Sequence, residues 1–280
     1  MKTPMDIGAI ASNLRLGADG IWYGSESGPI SYPEGGNEDC FAIEDRSFWF
    51  RHRNRCITSV VESFPPPGRG TIFDIGGGNG FVSLGLARAG FDVALIEPGH
   101  AGASQAKKRG IETVICATTD KAGLKPRSLA AIGLFDVIEH IADDETFLRS
   151  MRTLLVEGGS VYATVPAFDF LWSKEDVDAG HARRYSLGRV CEVLRRAGFD
   201  IVFASYIFRA LPLPIFLLRS LPYRLRLAQE RRRAPVQDHV APGPILARIV
   251  DAVFEPEIRK LSEKRPMRFG GSCLVAARAP

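Results

Sequence analysis

From residue 71 onward, short apolar runs alternate strictly with amphipathic ones, and that alternation limits the fold more than any other feature. TIFDI (71–75), FDVALIE (91–97), IETVIC (111–116), LAAIGLF (129–135), SVYATV (160–165) and DIVFASYIF (200–208) read as strands. They are separated by helix-length stretches at 81–90, 99–110, 142–159 and 187–198. Strands joined by helices at this pitch predict a parallel sheet covered on both faces. GSCLVAARA (271–279) supplies a seventh strand. The expected fold is therefore α/β, a doubly wound, seven-stranded, Rossmann-like sheet.

Around this core the chain divides in four. Residues 1–43 are rich in Gly, Ser and Pro and predict an arm or lid with little regular structure. Residues 44–208 form the core, opening with a helix over 44–64 that stops before Pro65-Pro66-Pro67. Residues 209–269 are a basic, Pro- and Leu-rich helical insertion, and 270–280 carry the last strand. The formal net charge of +4 does not mark a nucleic-acid binder. Arg209 to Arg233 nonetheless holds seven arginines against one acid, Glu230. Such a segment either caps a substrate site or rests on anionic lipid. Five scattered cysteines without a C-x-x-C pair predict a reducing compartment and argue against a zinc ribbon. The N-terminus lacks a secretory apolar region and no run of 18 apolar residues occurs, so the expected location is cytoplasmic, with peripheral contact at the inner membrane surface left open.

The first strand ends in FDIGGGNGF (73–81). A dinucleotide loop needs G-x-G-x-x-G. Starting from Gly76 the third place falls on Phe81, and the other registers fail at Asn79 or Ser83. A Walker loop would end in Gly-Lys-Ser/Thr, which is absent. The spacing that fits is Asp74-x-Gly76-x-Gly78-x-Gly80, with Gly77 between, a turn whose backbone can approach a ligand closely. Glu97 ends the second strand, 23 residues after Asp74, where an acid can accept ribose hydroxyl hydrogens.

These residues resemble motif I and the following acid of the class I S-adenosylmethionine-dependent methyltransferases. LFDVIEHIADDETFL (134–148) is similar to the segment after strand four in the ubiquinone-biosynthesis O-methyltransferases. FWFRHRN and VDAGHARRY (177–185) look like a bacterial subgroup associated with glycan and lipid synthesis. The resemblance implies S-adenosylmethionine as cofactor, held by Asp74, Gly76, Gly77, Gly78, Gly80, Glu97, Pro98 and Asp136. It implies adenine recognition at Ala117 or Thr118, where relatives carry an acid, and Arg53 at the methionine carboxylate.

The resemblance also frames the chemistry. A hydroxyl acceptor needs a base; His140 is the leading candidate, with His181 the second. Arg183, Arg184, Tyr185 and Trp172 lie on the loop expected to face the substrate, where paired guanidinium groups suit a phosphate or carboxylate; the alternative is that the arginines neutralise the acids of KEDVD (174–178) and pin the loop. Asp136, Glu139 and His140 form D-x-x-E-H, a magnesium-binding pattern in some relatives, although a metal is not the favoured expectation. The expected activity is O-methylation of a hydroxyl on a small molecule, sugar or lipid-linked saccharide. N- or C-methylation and non-catalytic cofactor binding are the alternatives.

Overall fold

The computed structural model describes residues 5–24, 41, 43–227 and 244–280. Nine strands form one sheet in the order β1-β2-β5-β4-β3-β6-β7-β9-β8. They are β1 (Arg15–Leu16), β2 (Trp22–Tyr23), β3 (Ile72–Ile75), β4 (Val93–Ile96), β5 (Thr113–Cys116), β6 (Leu129–Phe135), β7 (Leu155–Pro166), β8 (Asp200–Ile207) and β9 (Ser272–Arg278). All four residues of β3 are buried, as the centre of a doubly covered sheet requires. β3 pairs in parallel with both β4 and β6. The chain therefore winds outward through β4 and β5, then returns to the other side of β3. This reversal leaves a crevice at the carboxyl ends of β3 and β6, where open α/β sheets bind ligands. β9 runs antiparallel between β7 and β8.

The seven expected strands are all present. β1 and β2 are additional: they are two-residue strands in the arm expected to carry little regular structure, of which residues 25–40 lie outside the described residues. An Asp19-Gly20 turn, with Gly20 at φ +75, folds the arm back so that Trp22 and Tyr23 pair with Ile115 and Cys116. Strands of two residues carry no periodicity that a sequence can show.

Helix α1 (Phe48–Ser63) begins at Ser47, whose hydroxyl accepts the Phe50 N–H. It buries Ile57, Val60 and Val61 against the sheet. Helix α2 (Phe81–Arg88) follows the glycine loop, and Gly90 at φ +88 closes its end. Helix α3 (His100–Lys108) connects β4 to β5. Helix α4 (Asp144–Leu154) is capped by the Asp143 carboxylate on the Thr146 N–H at 3.0 Å. α4 is shorter than its sequence suggests, because Leu155 already pairs with Leu129. The glycines at 158 and 159 thus interrupt a strand instead of closing a helix, with Gly158 at φ +72. Helices α5 (Lys174–Asp178) and α6 (Leu187–Arg196) lie between β7 and β8.

Two pieces of the insertion are described. A helical stretch covers 212–224, and helix α7 (Pro244–Ser262) packs along α1. That second contact is anchored by a buried cluster. His52 Nε2 lies 3.0 Å from Glu257 Oε2, and the Glu257 carboxylate also accepts the N–H groups of Phe208 and Arg209. At least this half of the insertion braces the core.

Candidate active site

The cavity at the crevice has a volume of about 500 Å³. Its floor is the loop between β3 and α2, lined by Gly76, Gly77, Gly78 and Asn79. Gly76 sits at φ +69 and Gly78 at φ +52, in the left-handed region that disfavours a side chain. A Cβ on Gly77 would lie 2.7 Å from Leu95 Cδ1 and 2.9 Å from Asp74 Oδ2. The floor is therefore bare backbone by necessity. Gly80 departs from the expectation. Its ideal Cβ meets Ala106 and Ile111 on the helix side, and it does not line the cavity. Gly80, at φ +76, begins α2 and lets α3 pack closely.

Two acids hold the loop. Burial pushes the Asp74 carboxyl up to about 6, although the Ser83 hydroxyl donates to it at 2.6 Å. Glu97 accepts the Gly78 N–H at 2.9 Å and the Gly99 N–H at 2.7 Å, and burial raises its carboxyl above the usual range. It lines the cavity beside Pro98, Ala117, Thr118 and Thr119. The opposite wall comes from α1, through Trp49, Phe50 and Arg53. The Arg53 guanidinium lies over the Trp49 ring at 4.8 Å and pairs with Asp136. Asp136 follows β6 at φ +58, strained for a non-glycine residue, and also accepts the Thr164 hydroxyl at 2.8 Å.

The remaining wall holds two histidines from different loops. His140 leaves β6, whereas His181 arrives on the long loop after β7; their rings are 4.9 Å apart and nearly perpendicular. Burial, then the neighbouring His181, pushes the His140 imidazole down to about 4, so it is neutral at pH 7. His181 Nδ1 is 2.8 Å from Asp176 Oδ1, leaving Nε2 as its second ring nitrogen. Burial raises the Asp176 carboxyl, but hydrogen bonds from His181 and Arg184 outweigh it and hold that group below the usual range. A carboxylate behind a cavity-lining imidazole fixes its tautomer and orientation.

Several expected substrate contacts are structural instead. Arg184 donates to Asp176 through Nε at 2.8 Å and Nη2 at 3.0 Å, and to the Ala167 carbonyl through Nη1. Tyr185 is fully buried, with its hydroxyl 2.6 Å from Asp144 Oδ2. Arg183 pairs with the same Asp144 at 2.7 Å and with the Ala142 carbonyl at 2.6 Å. Trp172 does not line the cavity. These side chains pin the loop that delivers His181, because the charges of KEDVD and of α4's first turn claim them first.

The metal pattern is also rearranged. Glu139, His140 and His181 bring one ligand atom each within 4.8 Å of one another, while Asp136 turns to Arg53. Two imidazoles and one carboxyl do not suit magnesium, which prefers oxygen. Burial pushes Glu139 up to about 8, so its carboxyl is protonated at neutral pH. Its two oxygens have no hydrogen-bond partner among the described residues.

Sequence reasoning took Asp176 for one of the KEDVD acids open to the arginines, as Arg184 bears out, but missed its place behind His181, which depends on a turn that returns it beneath that ring. It also missed Glu44, a cavity residue paired with Arg109 at 2.6 Å, and Phe147. None belongs to a spaced motif.

A profile of the methyltransferase domain family matches residues 48–203, more than half of the chain, and the chain belongs to that family of class I S-adenosylmethionine-dependent methyltransferases. The ubiquinone biosynthesis O-methyltransferase of Colwellia psychrerythraea is 30% identical over 97 residues, 32% of this chain and 39% of that protein. The match thus spans about two fifths of the relative's length. Phosphoethanolamine N-methyltransferase 2 of Haemonchus contortus, in complex with phosphomonomethylethanolamine and S-adenosylhomocysteine, superposes with a TM-score of 0.54 at 16% identity, over 90% of this chain and 59% of that one. The [4+2]-cyclase SpnF superposes at 0.53 and 18% identity, over 89% and 86%. At these identities the structural likeness shows the fold.

Proposed function

We propose that this protein is an S-adenosylmethionine-dependent O-methyltransferase acting on a hydroxyl of a small molecule, sugar or lipid-linked saccharide, with His181 as the base. The observation that carries the proposal is the Asp176–His181 hydrogen bond of 2.8 Å at the wall of the glycine-floored cavity. The cavity residues fit the cofactor: bare backbone at Gly76–Gly78 to lie against it, Glu97 for its ribose hydroxyls, and Pro98, Ala117 and Thr118 for its adenine. Arg53, which lines the cavity and pairs with Asp136, is the cation we assign to the methionine carboxylate.

The cofactor supplies a methyl group on a sulfonium, which is electrophilic without further activation. The protein's task is to align an acceptor, keep water out and take one proton. Trp49 and Phe50 close the cavity from α1. His181 Nε2 takes the proton from the acceptor hydroxyl, and the resulting imidazolium is stabilised by Asp176. His140, neutral at pH 7, orients the acceptor by hydrogen bonding. The assignment moves the base role from His140, the leading candidate by sequence, to His181, because burial disfavours a charged His140. Magnesium enters no step, since the donor set does not suit it.

The test is mass spectrometry of ligand carried through purification, followed by transfer of labelled methyl from S-adenosylmethionine into sugar and lipid extracts. A base-stable methyl ether in the product supports the proposal. A methylated amine or carbon, or a chain that binds the cofactor but transfers nothing, overturns it. A cytoplasmic site of action is consistent with this reading.

A further inference from the structure

One described piece of the insertion, residues 209–227, carries an apolar face that the cavity does not use. Leu213, Leu217 and Leu218 point to solvent along the 212–224 stretch, with Leu218 76% exposed, and Leu225 and Leu227 continue the surface. Positions 213 and 217 share one helical face, and 218 is its neighbour. Five exposed leucines within fifteen residues form a patch that calls for a partner. Arg209 and Arg226 are exposed near it in the chain, and residues 209–227 include no acid.

The underside of this stretch is fastened to the loop that delivers His181. The Arg224 guanidinium donates to the carbonyls of Asp169 and Phe170, at 3.4 and 3.0 Å. The Phe170 ring meets Phe216 edge-on at 6.1 Å, and Arg219 lies 3.6 Å from Glu175. Among the described residues, then, the leucines are outward-facing while their scaffold is fastened to the segment that leads to His181.

We propose that this face docks the protein on an anionic lipid bilayer, with the helical stretch lying in the interface. Among the described residues no helix is long and apolar enough to cross a membrane, and thirteen helical residues reach only about 20 Å. Leucines on the outer face with arginines at the border are the arrangement that inserts shallowly and draws in anionic headgroups. Docking here turns the His181 loop toward the bilayer, from which a lipid-linked acceptor would enter. That last step rests on the proposed function; the docking itself does not.

The experiment is vesicle flotation of the full chain, using phosphatidylcholine vesicles with and without phosphatidylglycerol. The exposed Arg209 and Arg226 are expected to strengthen binding to the anionic vesicles roughly thirtyfold, and added salt to reverse the gain. Leu217→Asp with Leu218→Asp should abolish flotation, while Arg209→Glu with Arg226→Glu should remove the preference for anionic lipid. Unchanged binding of S-adenosylhomocysteine and an unchanged thermal transition in both variants would exclude misfolding. Three outcomes overturn the proposal: no flotation, equal flotation on neutral vesicles that ignores the leucines, or a solution dimer dissolved by the leucine changes without any vesicle binding. Flotation without methyl transfer would leave docking intact and refute only the enzymatic reading.

Discussion

Replacement of His181 by alanine tests the proposed base directly. The imidazole side chain is 17% exposed and has one strong anchor, Asp176. Its removal leaves Asp176 bound by Arg184 through two nitrogens and by the Ser173 N–H at 2.8 Å. The loss of one hydrogen bond to a charged group costs about 1.5–3 kcal/mol of stability. A protein of ordinary stability, about 5–15 kcal/mol, stays folded. The catalytic loss is larger. Removing a general base lowers kcat by roughly 10²–10⁴, equivalent to about 2.7–5.4 kcal/mol on the barrier. Cofactor affinity should hold, because the side-chain partners of His181 are Asp176 and His140, not the glycine loop or Glu97. Single-turnover transfer of labelled methyl gives the rate, urea unfolding gives the stability, and calorimetry gives the affinity. A kcat within threefold of the parent, with the fold intact, would refute His181 as base and leave acceptor alignment as the source of catalysis. Asp176→Asn is the poorer probe, because it would also leave the buried Arg184 without its counter-charge.

Gly78→Val should abolish binding of S-adenosylmethionine, since position 78 lies at φ +52 on the cavity floor; NAD should not bind either form, and equal affinity for NAD by calorimetry would contradict the cofactor assignment. Arg184→Met should destabilise the fold by about 3–5 kcal/mol by stranding the buried Asp176; a stable variant with a raised KM for acceptor would return Arg184 to the substrate. Glu139 gives a pH test. Its folded pKa of about 8 exceeds the ordinary carboxyl value of 4.5, so between those values the folded state keeps a proton that the unfolded chain has lost. Stability should therefore fall as pH rises through this window, by up to about 1.4 kcal/mol per pH unit. Glu139→Gln should flatten that slope in urea titrations, and an unaltered slope would show that the carboxyl is not buried as described.

The sheet was legible in the sequence because its signals are local. A buried parallel strand must be a short apolar run, and the glycines after β3 must be glycines where φ is positive. Glu97 was legible for the same reason, as its distance from Asp74 is set by one βαβ unit. What escaped the sequence depends on contacts between distant residues. Gly80 looks like its neighbours in the motif, yet its free side faces Ala106 on α3. Arg183 and Arg184 look like anion receptors until the fold brings Asp144 and Asp176 to them. Both the pairing of α7 with α1 and the rise of the Glu139 pKa likewise follow from burial, which needs the whole fold. His140 and His181 are 41 positions apart, and only the return of the loop after β7 sets their rings side by side and places Asp176 behind one of them. The sequence by itself determined the fold and the glycine loop after β3, through rules that act within a strand or a turn. The tertiary structure decided which histidine has a carboxylate partner, because hydrogen bonds and desolvation are set by distance in space.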